Sequence, residues 1–259
     1  MPLPTRVSVL LIALLIGSGA YAQSNYTGAS GSTTSASSTS SSTSARSSKP
    51  MSAQAATDKT IAAQVRIDDA IVVVGKMKSD PKVGELLGKA KGVVIVPHFT
   101  QAALVFGGRG GAGVLLVRQH GHWSDPAFYK LGGGTFGAQI GGTSGALAML
   151  LMSDKAVEAF ENQASTWSMT ATAGLTARSY SRNTPESGTL SDVIVWTDMN
   201  GYFGGAAIGA TKVSRDTSTN QVYYKNPDVT IQQILSGAIT NPDAKLLVDV
   251  MPPELMPKK

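Results

Sequence analysis

Gly107-Gly108-Arg109-Gly110-Gly111-Ala112-Gly113-Val114-Leu115-Leu116-Val117-Arg118, followed by Leu131-Gly132-Gly133-Gly134-Thr135-Phe136-Gly137-Ala138-Gln139-Ile140-Gly141, is the stretch on which the fold turns. Thirteen of the 28 glycines lie between Gly107 and Gly145. They stand where side chains normally fill the faces of a sheet, which predicts strands that bulge, curve sharply or approach each other closely. Around them the sequence breaks into short aliphatic or β-branched runs at 93–96, 102–106 and 114–118, separated by Pro97, glycines and a His120-Gly121-His122 turn. Runs at 128–140, 146–152, 167–173, 193–197 and 202–213 continue the series. So many strands without a helix between each pair predict an α+β fold. The expected architecture is a mainly antiparallel curved sheet or barrel-like sandwich, with N-terminal and C-terminal helices packed on it.

The helices are read from periodicity and end signals. Residues 57–77 hold no proline, and Ile61, Val65 and Val72 lie on one side with Ile67, Ala70, Ile71 and Val74 beside them. That wide apolar arc is read as core packing, because a headgroup-layer helix carries a clean cationic polar face. A second helix follows Pro81 over 82–89, Ser153 caps another through Glu161, and 230–235 and 243–250 close the chain before Pro252-Pro253.

The glycine stretches match G-x-G-x-x-G twice, at 108–113 and 132–137. A dinucleotide site needs a helix N-terminus after the glycines, and both matches run into strand instead, so no nucleotide is expected. His120, His122 and Asp125 form the one close grouping of imidazole and carboxylate, but a Gly-rich turn without a fourth donor does not make a zinc site. No metal and no cofactor is expected. A hydrolase using these three residues is the weakest of three functional readings. No G-x-S-x-G elbow occurs, and with no cysteine in the chain there is neither a disulfide framework nor a thiolate nucleophile. The shortage of titratable groups near the glycines favours a binding module over an enzyme.

Two segments precede the domain. Arg6, the apolar run Val7 to Ile16 and Ala20-Tyr21-Ala22 read as a secretory signal peptide over 1–22, too short to span a bilayer comfortably. Residues 23–52 read as a Ser/Thr-rich linker, since 16 of the 22 residues from 27 to 48 are Ser or Thr and nothing there offsets the entropy of ordering. The domain is expected over 53–259, in a periplasmic or secreted protein that associates peripherally with a membrane.

Charge in that domain is local. Its 19 Lys or Arg against 17 Asp or Glu give +2, while the segment from Lys76 to Arg118 alone carries +5. An anionic partner is expected at that segment. Nucleic acid is not, because it demands a broad basic footprint. Trp123, Phe128, Tyr202 and Phe203 stand at strand positions and are read as sheet packing rather than interfacial anchors.

Three ordered blocks carry a family resemblance: Ala90-Lys91-Gly92-Val93-Val94-Ile95-Val96-Pro97, then Gly107 to Val114, then Gly121-His122-Trp123-Ser124-Asp125-Pro126-Ala127-Phe128. With Gly134 to Gly141, Asp198-Met199-Asn200-Gly201-Tyr202-Phe203-Gly204-Gly205 and Ile234-Leu235-Ser236-Gly237, the sequence resembles the SYLF domain, also called the Ysc84-type domain, over most of 53–251. The resemblance implies non-enzymatic binding of anionic phospholipids, with phosphoinositide-like headgroups in eukaryotic members, where an N-terminal amphipathic helix and basic residues are implicated. Yeast members also bind actin. Carried onto this sequence, it nominates Lys76, Lys78, Lys82, Lys89 and Lys91, with Arg109 and Arg118 next, as contacts to lipid phosphates. The alternative is an envelope structural or protein-interaction module, actin-binding-like as in eukaryotic relatives, with no lipid ligand.

Overall fold

The computed structural model describes residues 52–103, 106–136, 141–163, 166–169, 173–180, 191–199 and 211–255. Helix α1 (Ala53–Ser79) starts at Ser52, whose hydroxyl accepts the Ala55 N–H at 3.3 Å. It stops at Asp80, because the residue before a proline is pushed out of helical geometry. Asp80 then caps α2 (Pro81–Lys89), its carboxylate accepting the Lys82 N–H at 3.1 Å.

The wide apolar arc of α1 divides into two opposite faces. Ala63, Ile67, Ala70, Val74 and Met77 are fully buried, at the spacing of one helix face. Ile61, Val65 and Val72 point the other way and remain 58%, 53% and 58% exposed. Core packing therefore accounts for only part of the arc, since a helix laid on a sheet has one face to bury.

The strands are β1 (Gly92–Ala103), β2 (Phe106–Gln119), β3 (His122–Trp123), β4 (Ala127–Phe136) and β5 (Gly141–Leu151). After helix α3 (Asp154–Asn162) come β6 (Thr166–Ser168), β7 (Ala177–Ser179), β8 (Val193–Thr197) and β9 (Lys212–Arg215). Helices α4 (Thr217–Tyr223), α5 (Ile231–Leu235) and α6 (Lys245–Val250) follow. The sheet runs β6-β9-β4-β2-β1-β5-β8-β7, with β3 paired to the end of β2. All neighbours are antiparallel except β7 and β8. It is an α+β fold whose sheet curls strongly into a half-barrel.

Curvature originates where the sequence placed a break. Pro97 does not end a strand: 93–96 and the first two residues of the 102–106 run, Ala102 and Ala103, lie on one strand, β1, which continues through a bulge, while Phe106 begins β2 and 104–105 lie outside the described residues. Ile95 pairs with Val114 and Thr100 with Gly110, so β1 holds one residue more than β2 over that interval, and the same surplus appears against β5. The bulge turns Phe99 fully into the core and leaves His98 outside, its Nε2 3.0 Å from Asp69 Oδ2 on α1. The glycines opposite the bulge are strand as well. A Cβ on Gly111 would lie 2.7 Å from the His98 carbonyl oxygen, and one on Gly113 would overlap the Ile95 carbonyl oxygen. Only glycine allows β1 and β2 to approach so closely there.

The core continues through edge-to-face aromatic contacts, Tyr129 with Phe160 at 5.7 Å and Phe160 with Trp167 at 4.9 Å between ring centroids. Trp123 and Phe128 are buried, as their strand positions suggest, whereas Tyr202 and Phe203 lie outside the described residues. Most of the strand expected over 202–213 is likewise outside them, only Lys212 and Val213 of that run appearing in β9.

Candidate functional site

The nominated cations sit on three elements and the connection before β1. Lys76 and Lys78 end α1, Lys82 opens α2, Lys89 ends it, Lys91 precedes β1, and Arg109 and Arg118 lie nine residues apart on β2. Nine strand residues span about 30 Å, so the two arginines do not share one small patch.

Several of these cations have acceptors within the protein. Lys76 Nζ is 2.6 Å from Asp198 Oδ2, and Lys78 Nζ donates to the Val250 carbonyl at 3.0 Å. Lys89 pairs with Glu85 one turn earlier at 2.6 Å, and Lys91 with Asp154 at 2.5 Å. Lys82 is on the same face of α2 as Glu85 and Lys89, three and seven residues on, so that face alternates in sign. Each such exposed pair contributes at most about 1 kcal/mol, so the ammonium groups can be drawn to a stronger anion.

The arginines are more deeply committed. Burial depresses the Arg109 guanidinium below its ordinary pKa, and its Nε has no hydrogen-bond partner among the described residues. Arg118 is depressed by burial too, partly offset by Glu254. Its guanidinium lies 4.2 Å from the Trp123 ring centroid and donates to the Ala90 carbonyl at 3.4 Å and the Pro252 carbonyl at 3.2 Å. Arg118 thus holds the C-terminal segment against the sheet.

A cleft of about 500 Å³ opens beside Lys76, lined by Ser79, Asp80, Tyr180, Trp196, Thr197 and Asp198. Asp198 is used twice, accepting from Lys76 and, through Oδ1, from the Ala146 N–H at 2.6 Å. The Tyr180 hydroxyl donates to Asp80 Oδ2 at 3.2 Å. These groups brace the α1–α2 corner against β5 and β8.

His120 and His122 are exposed at the β2–β3 turn, and Asp125 is half-buried: burial raises its carboxyl, and the Asn241 N–H at 2.7 Å opposes that rise. Among the described residues no three His, Asp or Glu side chains converge as metal ligands.

Sequence reasoning missed the acceptors rather than the cations. Glu85 is legible as an i,i+4 partner of Lys89, but Asp198 and Asp154 stand 122 and 63 positions from Lys76 and Lys91, and only the folded sheet brings them together.

A profile described as "Ysc84: Las17-binding protein actin regulator" matches residues 132–252, from the glycines of β4 through the last helix to Pro252. Over this segment the chain is similar to the SYLF, or Ysc84-type, family. An SH3 domain-containing protein of Schizosaccharomyces pombe is 28% identical over 165 residues, 61% of this chain and 38% of that protein. Protein YSC84 of Saccharomyces cerevisiae is 27% identical over 164 residues, 61% of this chain and 35% of its own length. The SH3 domain-containing YSC84-like protein 1 of Bos taurus is 29% identical over 161 residues, 61% and 46% respectively. The matched part of this chain thus spans less than half the length of these relatives. No solved structure gives a significant match.

Proposed function

We propose that this SYLF-like domain is a non-catalytic protein-interaction module whose partner class is the actin-type filament surface. The match to a profile described by binding of Las17 and regulation of actin carries the reading. Its test is co-sedimentation of the purified domain with actin filaments. Saturable pelleting is expected; a domain that stays in the supernatant at every filament concentration contradicts the reading.

Anionic-lipid binding is the second reading, and the apolar stripe Ile61, Val65 and Val72 on the outer face of α1 favours it, with Lys76 and Lys78 at the end of that helix. No helix among the described residues is long and apolar enough to cross a membrane. On this reading contact is peripheral, each lysine adds on the order of 1 kcal/mol, and the attraction decays within a Debye length of about 10 Å at 0.1 M salt. Changing Lys76, Lys78, Lys82, Lys89 and Lys91 to Glu is then expected to abolish pelleting with phosphatidylserine vesicles. Unchanged pelleting of the five-fold variant rejects the lysine site. On this second reading the leader-like 1–22 and the Ser/Thr-rich 23–52 support export of the domain to a periplasmic or extracellular location.

A further inference from the structure

The segment after α6 lies across the surface as a strap. Met251 is buried, but Pro252 to Leu255 run over the outside of α2 and the β2–β3 end of the sheet. Two donors converge on one acceptor: Trp123 Nε1 at 2.8 Å and Arg118 Nη2 at 3.2 Å both reach the Pro252 carbonyl oxygen. Three residues later the Leu255 N–H donates to the Gly88 carbonyl at 3.0 Å.

The seat is shaped for this segment. Trp123 is opposite Arg118 in the β2–β3 pair because His120 and Gly121, at φ 50° and 83°, close the tight turn between them. The Leu255 side chain rests where residue 88 lacks one: a Cβ on Gly88 would be 2.6 Å from Leu255 Cγ and Cδ1. Glu254 adds its charge to the Arg118 side of the seat. Yet Leu255 is still 43% exposed, so the strap rests on the domain rather than completing its core.

We propose that this seat is a peptide-binding site occupied in cis by the chain's own tail. It fits an extended segment in a protein partner with a prolyl carbonyl three residues before a leucine and an acidic residue between them. Such a segment makes the same three hydrogen bonds and fills the same apolar seat. A tethered segment acts at an effective concentration of roughly millimolar, so the tail masks the site and a partner binds only by displacing it. The inference stands on the strap alone and does not depend on filament or lipid binding.

The probe is a labelled peptide with the sequence of residues 251–259, titrated into the full chain. Leu255→Asp weakens the resident tail and leaves the seat intact, so the peptide is expected to bind this variant about tenfold tighter than the wild type. Adding Trp123→Phe deletes one donor to the prolyl carbonyl and is expected to remove most of that gain. Equal binding by wild type and Leu255→Asp, or no saturable binding by either, overturns the proposal. A wild-type measurement guards against a misfolded variant: millimolar peptide is expected to accelerate hydrogen exchange at the Leu255 amide selectively. An unchanged Leu255 amide overturns the proposal equally.

Discussion

Replacing Gly113 by alanine is expected to destabilise the domain by about 3 kcal/mol, because the new Cβ meets backbone that has no room to yield. Its neighbours would be the Ile95 carbonyl oxygen and Val96 Cγ2, the latter at 2.8 Å, and Ile95 is hydrogen-bonded on both sides within the sheet. Relief requires separating β1 from β2 at the bulge that turns Phe99 inward. For a domain of this size the loss is a fall in Tm of roughly 6–12 °C, measurable by thermal denaturation. Gly108 and Gly134 serve as controls, since a Cβ at either meets nothing within 4 Å. Alanine at either is expected to be neutral or slightly stabilising, by up to about 1 kcal/mol, because it removes backbone freedom from the unfolded chain. Equal effects at Gly113 and Gly134 would show that close strand approach is not why Gly113 lacks a side chain.

A loss of similar size is expected from Asp216→Asn. Asp216 is buried at the start of α4, with Lys130 Nζ of β4 at 3.0 Å and Arg66 Nη1 of α1 at 3.5 Å. Arg66 also lies 5.4 Å from the Phe128 ring centroid, so one carboxylate joins the first helix, the sheet and α4. Desolvation pushes this carboxyl upward, but hydrogen bonds from Lys130 and Thr219 and the charges of Lys130 and Arg66 outweigh it and hold the pKa below the ordinary aspartate value. Removing the charge leaves the mostly buried Arg66 without its counter-ion, a change that destabilises by about 3 kcal/mol in comparable buried pairs. Because the folded-state pKa is depressed, the contribution is present above the unfolded-state value near 3.9 and is lost as pH falls through the folded value. The Tm difference between wild type and Asp216→Asn is therefore expected to be constant near neutrality and to close below about pH 4. A difference that persists in acid contradicts the ion-pair account.

The fold class was legible because short β-branched runs and concentrated glycines leave few other arrangements. The glycines were read as sites of close strand approach, which Gly111 and Gly113 bear out, and Gly132 to Gly134 were read within a strand run, but Gly107 to Gly113 were read as a break between runs. Their strand character depends on pairing, Gly110 with Gly132 and Gly108 with Gly134, which no single segment reveals. Pro97 misled in the same way: it sits at a bulge, where a missing N–H does not break the ladder. The two apolar faces of α1 were visible as one broad arc, but periodicity does not say which face meets the sheet. At the candidate site the cations were legible and their acceptors were not, except Glu85. Trp123 was correctly placed in packing, while its hydrogen bond to Pro252, 129 positions away, belongs to the tertiary fold.

Sedimentation across a salt series, with actin filaments in one arm and phosphatidylserine vesicles in the other, tests most directly whether this domain recognises protein rather than charge. From about 50 to 300 mM salt, where the Debye length shortens from roughly 14 to 6 Å, binding to filaments is expected to persist while vesicle pelleting stays marginal throughout. Strong vesicle pelleting that vanishes with salt, alongside a filament arm that never pellets the domain, would contradict the account.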